Sequence, residues 1–350
     1  MASAGTRILR AVVSVPFLLI AAWCLSIMDP DTIVAFQKPF ADSGVIEWDG
    51  GKLTILKNFH GIKFLDDIFT GGMATFSPST LGYDPVAWWQ IFSFLTDLGP
   101  VYAIWILESY RVGYAYTPAY FPSVFTVAGQ FLGIGSVGPI LYFLSLTFGP
   151  TASDLARMPA RDRSVWNRGS GLVLLLIFLF HTSEVFAMCL APELTTRHYW
   201  TWAWQMSPLY IGLANTLLSG LTKPLLSKLG IASPKSILIV AGIISAGVWG
   251  YTLLFSPYSL STIFIPSSEV PSEFIPFVQK VFQADHVSIF SSSFLWLLYS
   301  FLDLKSAGII GANWLCSLLL LPVSLGLVGP AATFTIFWCI REGALASVQR

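Results

Sequence analysis

Charge is scarce in this chain: 11% of its 350 residues are Asp, Glu, Lys or Arg, against about 25% in an ordinary soluble domain. The 19 basic and 19 acidic residues cancel, and no basic cluster is large enough to act as a nucleic-acid footprint, which excludes nucleic acid as a partner. Cysteine is also sparse. Cys24, Cys189, Cys316 and Cys339 each lie inside an apolar run without paired spacing, so neither a disulfide framework nor a thiolate metal site is expected. There is no Asn-x-Ser/Thr acceptor, no glycine-rich phosphate loop, no nucleophile elbow with a partner triad and no mid-helix lysine for a Schiff base. Nothing in the sequence calls for a metal or a cofactor.

What is abundant is apolar surface. Hydrophobic residues make up 55% of the chain and mean hydropathy is +0.69, surplus that only lipid can cover. The expected fold is all-α, a polytopic transmembrane helical bundle of about 8–10 membrane helices forming a single integral membrane domain over residues 1–350. Arg7 and Arg10 precede the run Ala11 to Met28, long enough at ~27 Å of helix to remain as an uncleaved first span. Further apolar stretches run from Val86 to Tyr110, Phe121 to Phe148, Gly171 to Ala191, Thr201 to Thr222, Ser236 to Phe255, Val287 to Leu302 and Ile309 to Ile340, the last broken at Gly329-Pro330. If Ile62 to Pro78 also crosses, 12 of the 19 basic residues fall on one side, as the positive-inside rule asks. Residues 29–61 and 257–286 are then expected lumenal loops, and 149–170 and 223–235 cytoplasmic basic loops, in a multi-pass protein of the endoplasmic reticulum.

A charge at the centre of a membrane helix costs ~3 kcal/mol on insertion scales, which makes each one a functional candidate. Asp97 sits eleven residues into Val86 to Tyr110 and shares a helical face with Gln90, Phe94, Val101, Trp105 and Glu108. That face is expected to wall a polar, aromatic cavity; the alternative is an acid that only hydrogen-bonds a neighbouring helix. His181 and Glu184, three apart on one helix, read either as a proton-donating pair or as two groups satisfying one another. Their order, His-x-x-Glu without a second copy, argues against a di-metal site. Asp66 and Asp67 are adjacent carboxylates, either an acid held ready for proton transfer or the cap of a membrane helix. Asn215 either orients a substrate oxygen or locks helices. Trp200, Trp202 and Trp204 read as an interfacial belt before a ligand cage. Aromatic residues total 15%, more than such belts require.

Buried acids among aromatic rings suit protonation of an epoxide or alkene, because the rings shelter the resulting cation at ~2 kcal/mol or more per desolvated contact. The stretch Phe64-Leu-Asp-Asp-Ile-Phe, Phe76-Ser-Pro-Ser-Thr, Tyr83-Asp-Pro-Val-Ala-Trp-Trp-Gln-Ile-Phe-Ser-Phe-Leu-Thr-Asp-Leu-Gly, running on to Leu107-Glu-Ser-Tyr-Arg111, resembles a family of fungal membrane proteins. That family includes terpene cyclases of meroterpenoid pathways of the ascofuranone type. The resemblance implies a cyclase acting on a lipophilic prenylated aromatic whose farnesyl chain has been epoxidised, without metal, alongside a pathway prenyltransferase and monooxygenase. The Asp66-Asp67 pair lacks the flanking residues of the magnesium-diphosphate motif of ionising prenyl cyclases and of the soluble protonating cyclases' motif. From the residues themselves, Asp97 or Glu184 is expected to donate the proton, with Glu108, His181 and Asp67 tuning or replenishing it. Trp89, Phe94, Tyr102, Trp105 and Asn215 are the expected substrate contacts. A transporter of lipophilic metabolites, coupling protons through the same acids, is the rival reading, and a scaffold without catalysis a third.

Overall fold

The computed structural model describes residues 3–165, 171–228, 233–311 and 314–347; the side chains of residues 171, 219–228 and 315–317 are not described, which leaves Cys316, Lys223 and Lys228 aside, and Arg168 and Arg350 lie outside the described residues. The chain is 79% helical. In order, helices α1 (Ala4–Val13), α2 (Val15–Met28) and α3 (Pro30–Ser43) lead into an antiparallel hairpin, β1 (Val45–Trp48) and β2 (Gly51–Thr54). Then come α4 (Lys63–Thr80), α5 (Pro85–Ser109), α6 (Pro122–Leu132), α7 (Ile134–Phe148) and the short α8 (Ala152–Arg157) and α9 (Ala160–Arg163). α10 (Gly171–Ile177) runs through a π-turn, Phe178–Thr182, into α11 (Ser183–Leu190), followed by α12 (Leu194–Gln205), α13 (Ser207–Lys228), α14 (Pro234–Phe255) and α15 (Leu260–Phe264). α16 (Phe274–Ser306), α17 (Trp314–Leu319), α18 (Leu321–Val328) and α19 (Pro330–Ala346) complete the chain.

Five segments among the described residues are long and apolar enough to cross a membrane: Val15–Ser43, Pro85–Ser109, Leu172–Leu190, Pro234–Phe255 and Phe274–Ser306. The other expected crossings are shorter or less apolar pieces. Prolines at the first turns of α2, α3, α5, α6, α14, α18 and α19 set many of the starts, where the missing N–H removes no helical bond. Two breaks fall at glycines with positive φ, Gly133 at +75° between α6 and α7 and Gly329 at +82° between α18 and α19, backbone that L side chains resist. The Gly329-Pro330 break is where the sequence places it. α5 is the axis of the bundle: Asp84 caps it by accepting from Ala87 N at 2.8 Å, and its apolar stretch is wholly buried against α4, α14 and α19.

Two polar excursions differ from the loops expected. Within 29–61 the chain forms α3 and the β1–β2 hairpin, with Val45 opposite Thr54 and Glu47 opposite Lys52. Within 257–286 it forms α15 and the first thirteen residues of α16. α16 therefore begins well before Val287, and Asp285 and His286 lie inside a helix. Phe277, Val278, Val281, Phe282 and Ile289 supply its buried stripe, while Gln279, Lys280 and Gln283 interrupt the linear apolar run and so hide the helix from hydropathy. In the basic region expected as a loop from 223, α13 continues helical to Lys228. Arg7 and Arg10 clasp the end of α7: Arg7 donates to the carbonyls of Thr147 and Gly149 at 2.8 and 2.7 Å, and Arg10 pairs with Asp303 at 3.0 Å. Cations at a helix C-terminus meet its unpaired carbonyls and its negative dipole end.

The hairpin docks through Ile46, Leu53 and Ile55 onto Phe69, Met73 and Trp202. One polar clamp secures it: Nε2 of buried His198 accepts from Leu56 N at 3.1 Å and from Trp202 Nε1 at 3.3 Å. Burial, which disfavours the charged ring, lowers the His198 pKa from 6.5 to about 4, and a protonated Nε2 has no lone pair for the two facing N–H donors. The unfolded chain takes the proton first as pH falls, so this contribution is complete above pH 6.5 and is lost between 6.5 and 4, by roughly 3 kcal/mol. His198→Gln, which keeps an acceptor but does not titrate, is expected to flatten that part of the pH profile of thermal unfolding in detergent micelles; parallel profiles for the two proteins would refute the clamp.

Candidate functional site

The acids expected to act together are separated by the fold. Asp97 is buried between three helices: its Oδ1 accepts from Ser245 Oγ of α14 at 2.5 Å, and its Oδ2 lies 3.5 Å from His286 Nε2 of α16. Phe94 stacks on the His286 ring at 4.8 Å, and Phe264 and Phe290 meet it edge-on. Asp97 thus binds neighbouring helices and does not line the aromatic-walled cavity described below. His181 and Glu184 do not pair. The π-turn rotates His181 toward α5, where Nε2 bonds the Leu95 carbonyl at 2.8 Å and Nδ1 accepts from Trp204 Nε1 at 3.2 Å; both ring nitrogens are used. Glu184 is buried, and its Oε2 has no hydrogen-bond partner.

Glu108 belongs to a charge lattice at the far end of α5. It accepts from Arg111 at 2.5 Å, from Arg341 at 2.9 Å and from Trp338 Nε1 at 2.9 Å, and Arg111 pairs in turn with Glu342 at 2.8 Å. Glu342 also receives the Val165 N–H, and the Arg341 guanidinium lies 4.8 Å over Trp296. Asp67 is exposed and pairs with Lys63 at 2.6 Å. Asp66 is buried and accepts from His60 N at 2.8 Å, tying the loop before α4 to its first turn. Neither Glu108 nor Asp67 is placed to tune Asp97. Asn215 accepts from Tyr110 at 2.6 Å as a link between helices. Trp105 donates to Tyr142 at 2.9 Å beside a space of about 20 Å³, and Trp89 packs edge-on against Trp88.

An aromatic-walled cavity of about 270 Å³ lies between α2, α3, α4, α5, α6, α12, α16 and the start of α7. It takes two of the expected contacts, Phe94 and Tyr102. Its walls add Phe69, Phe76, Phe131, Trp204 and Phe282. Val34, Ile68 and Leu132 line it and are also exposed, so it opens sideways between α3, α4 and α6. Its volume falls just under the ~300–1,000 Å³ of pockets that hold drug-sized ligands. Among the described residues the one carboxyl lining it is Asp285, which falls within the expected lumenal loop 257–286. Its Oδ1 accepts from the Gly135 N–H at the start of α7. The signal for it was the three-to-four-residue spacing of Phe274, Phe277, Val281, Asp285 and Ile289, read as a helix.

Glycine makes this junction possible. A Cβ at Gly135 would meet the backbone of Asp285, one at Gly133 the Met28 side chain, and one at Gly138 the Ile289 side chain. The run Gly133-Ile-Gly-Ser-Val-Gly138 therefore serves close contact between α7 and α16.

The fold and cavity define a polytopic α-helical membrane bundle enclosing an aromatic-walled, carboxyl-bearing pocket. Residues 41–346 match the family model described as the CtvD domain, and the chain belongs to that family. Among curated proteins it is similar to the "FAD-dependent monooxygenase verC1" of Penicillium polonicum, 27% identical across 97% of this chain and 43% of that protein. It is also similar to "FAD-dependent monooxygenase anuJ" of Penicillium roqueforti, 27% identical across 85% and 37%, and to "FAD-dependent monooxygenase BOA8" of Botryotinia fuckeliana, 28% identical across 73% and 34%. The chain spans less than half the length of these relatives. No solved structure matches it significantly. The resemblance to a fungal membrane family holds at the level of the family.

Two outcomes follow from the geometry. Glu108→Gln leaves Arg111 and Arg341 buried without their shared carboxylate, and is expected to cost about 3–5 kcal/mol, read as lowered thermal stability in detergent. Gly135→Ala forces α7 away from Asp285 and is expected to cost about 1–3 kcal/mol by overpacking; an unchanged melting temperature would show that the junction yields freely.

Proposed function

We propose that this protein is a membrane-bound terpene cyclase of the endoplasmic reticulum that opens an epoxide on a prenylated aromatic by proton donation and closes a ring, without a metal. The observation that carries this reading is Asp285, among the described residues the one carboxyl lining a cavity that opens beside exposed apolar side chains and is walled by Phe76, Phe94, Tyr102, Trp204 and Phe282. The lateral mouth suits a substrate delivered from the bilayer by the enzymes that prenylate and epoxidise it. The Asp285 carboxyl gives its proton to the epoxide oxygen as the tertiary C–O bond breaks. An alkene π pair of the same chain attacks the cation, forming the C–C bond, and a proton returns from the product cation to the carboxylate. The product is an isomer of the substrate. The aromatic faces lower the energy of the cation, and the apolar walls keep water from capturing it.

The flavin in the relatives' names does not fit these residues. A flavin dinucleotide takes a strand, a glycine-rich turn and a helix N-terminus open to the pyrophosphate. Gly133-Ile-Gly-Ser-Val-Gly138 does have the G-x-G-x-x-G spacing, against the expectation of no glycine-rich phosphate loop, but it follows helix α6, its helix start already holds the Asp285 carboxyl, and its glycines pack against α2 and α16. We infer that the flavin chemistry belongs to the length of those relatives that this chain does not cover. A monooxygenase supplies an epoxide, which is the functional group this cavity is suited to consume.

Microsomes carrying only this protein, given an epoxyfarnesyl phenol, are expected to yield an isomer of equal mass and shifted retention by mass spectrometry. Asp285→Asn is expected to lower that yield at least ~100-fold, whereas Asp97→Asn, off the cavity and still able to accept from Ser245, keeps it. Full turnover by Asp285→Asn would remove this carboxyl from the reaction, and unchanged substrate accumulating inside vesicles would favour a transporter.

A further inference from the structure

The cavity has a polar patch that acid chemistry does not use. Gln205, at the end of α12, lines it and is 2% exposed. Its Oε1 accepts from Gln130 Nε2 at 3.4 Å, while its own Nε2 has no hydrogen-bond partner. A buried amide donor without a partner is costly and marks a place where an acceptor belongs. The backbone opposite leaves room for the amide itself. Gly71 and Gly72 lie in the interior of α4, where glycine weakens a helix; a Cβ at Gly72 would stand 3.0 Å from Gln205 Nε2, and one at Gly71 would stand 2.5 Å from Gln37 Oε1. Gln37, also on the cavity wall, is held by donating to Thr75 Oγ1 at 2.7 Å. Among the described residues lining the cavity there is no Arg, Lys or His, so nothing there neutralises a phosphate or a carboxylate.

We propose that Gln205, supported by Gln130, is a specificity-determining site for an uncharged acceptor oxygen carried by the ring of the substrate's head group. The substrate class is then a neutral amphiphile: an oxygenated ring joined to an apolar isoprenoid chain. The proposal rests on the cavity being the substrate site, and it excludes prenyl diphosphates as ligands. Gln205 selects by hydrogen bonding and takes no part in bond making.

Binding probes without an epoxide test this apart from turnover. In lipid nanodiscs holding the full chain, tritiated 2-farnesylcyclohexanone is displaced by unlabelled 2-farnesylcyclohexanone, by farnesylcyclohexane and by farnesyl diphosphate. The wild-type protein is expected to prefer the ketone over the hydrocarbon by about tenfold to a hundredfold and to bind the diphosphate more weakly than the ketone. Gln205→Met, close in volume but without the amide, is expected to lose that preference while binding farnesylcyclohexane as before. Equal affinity for ketone and hydrocarbon in the wild type overturns the proposal without recourse to any variant, as does tighter binding of the diphosphate or a preference that survives Gln205→Met. Discrimination without turnover of an epoxidised analogue supports this site and refutes the cyclase reading, so the two stand or fall separately.

Discussion

A charge removed from water must find its counter-charge inside the protein, and in this bundle that requirement is met most densely by Glu108, Arg111, Arg341 and Glu342. Two carboxylates and two guanidiniums, all buried, join the end of α5 to α19, and the Val165 N–H and the Trp338 indole fill remaining acceptor positions. Breaking one arm of such a lattice leaves the others buried and unmatched, which is worse than never having had the charges. α5 is therefore fixed at its far end. The cavity depends on this, because Phe94, Leu95, Leu98 and Tyr102 reach it from the same helix.

The same requirement sorts the other buried polar groups. His181 has both nitrogens engaged and Asp97 is bound to α14, so each joins helices. Asp285 is engaged on one oxygen by α7 and lines the cavity, and Gln205 has an amide donor left over there. Groups engaged by other helices away from the cavity hold the bundle together; groups with polar capacity left over on the wall of a space of ligand size are the ones left for a substrate.

Glycine shows how one spacing carries different meanings. Gly133, Gly135 and Gly138 are spaced like a dinucleotide-binding turn, yet here a helix precedes them and another helix presses on them. Gly71 and Gly72 look like a weakness in α4 and instead leave room for Gln37 and Gln205. In both places the missing Cβ is a matter of what stands opposite, which comes from another part of the chain.

The scarcity of charge and the long apolar runs determined, without any structure, that this is a helical membrane bundle, because apolar side chains in such number have no other low-energy surroundings. They also marked α5, Asp97, the Gly329-Pro330 break and the aromatic character of the interior. Of the residues that helical phasing put beside Asp97, Phe94 lines the cavity, and so does Tyr102, which was expected as a substrate contact without being on that face. Which acid meets the cavity was not. Phasing places Asp97 and Glu108 on one face of α5, but α14 and α16 take the first and Arg111 and Arg341 the second. The π-turn at Phe178–Thr182 moves His181 away from Glu184, and polar residues in the first half of α16 conceal Asp285 from hydropathy. A helix face is a local property of the chain, whereas the partner of a buried charge is whichever group another helix brings within hydrogen-bonding distance, and only the tertiary structure decides that.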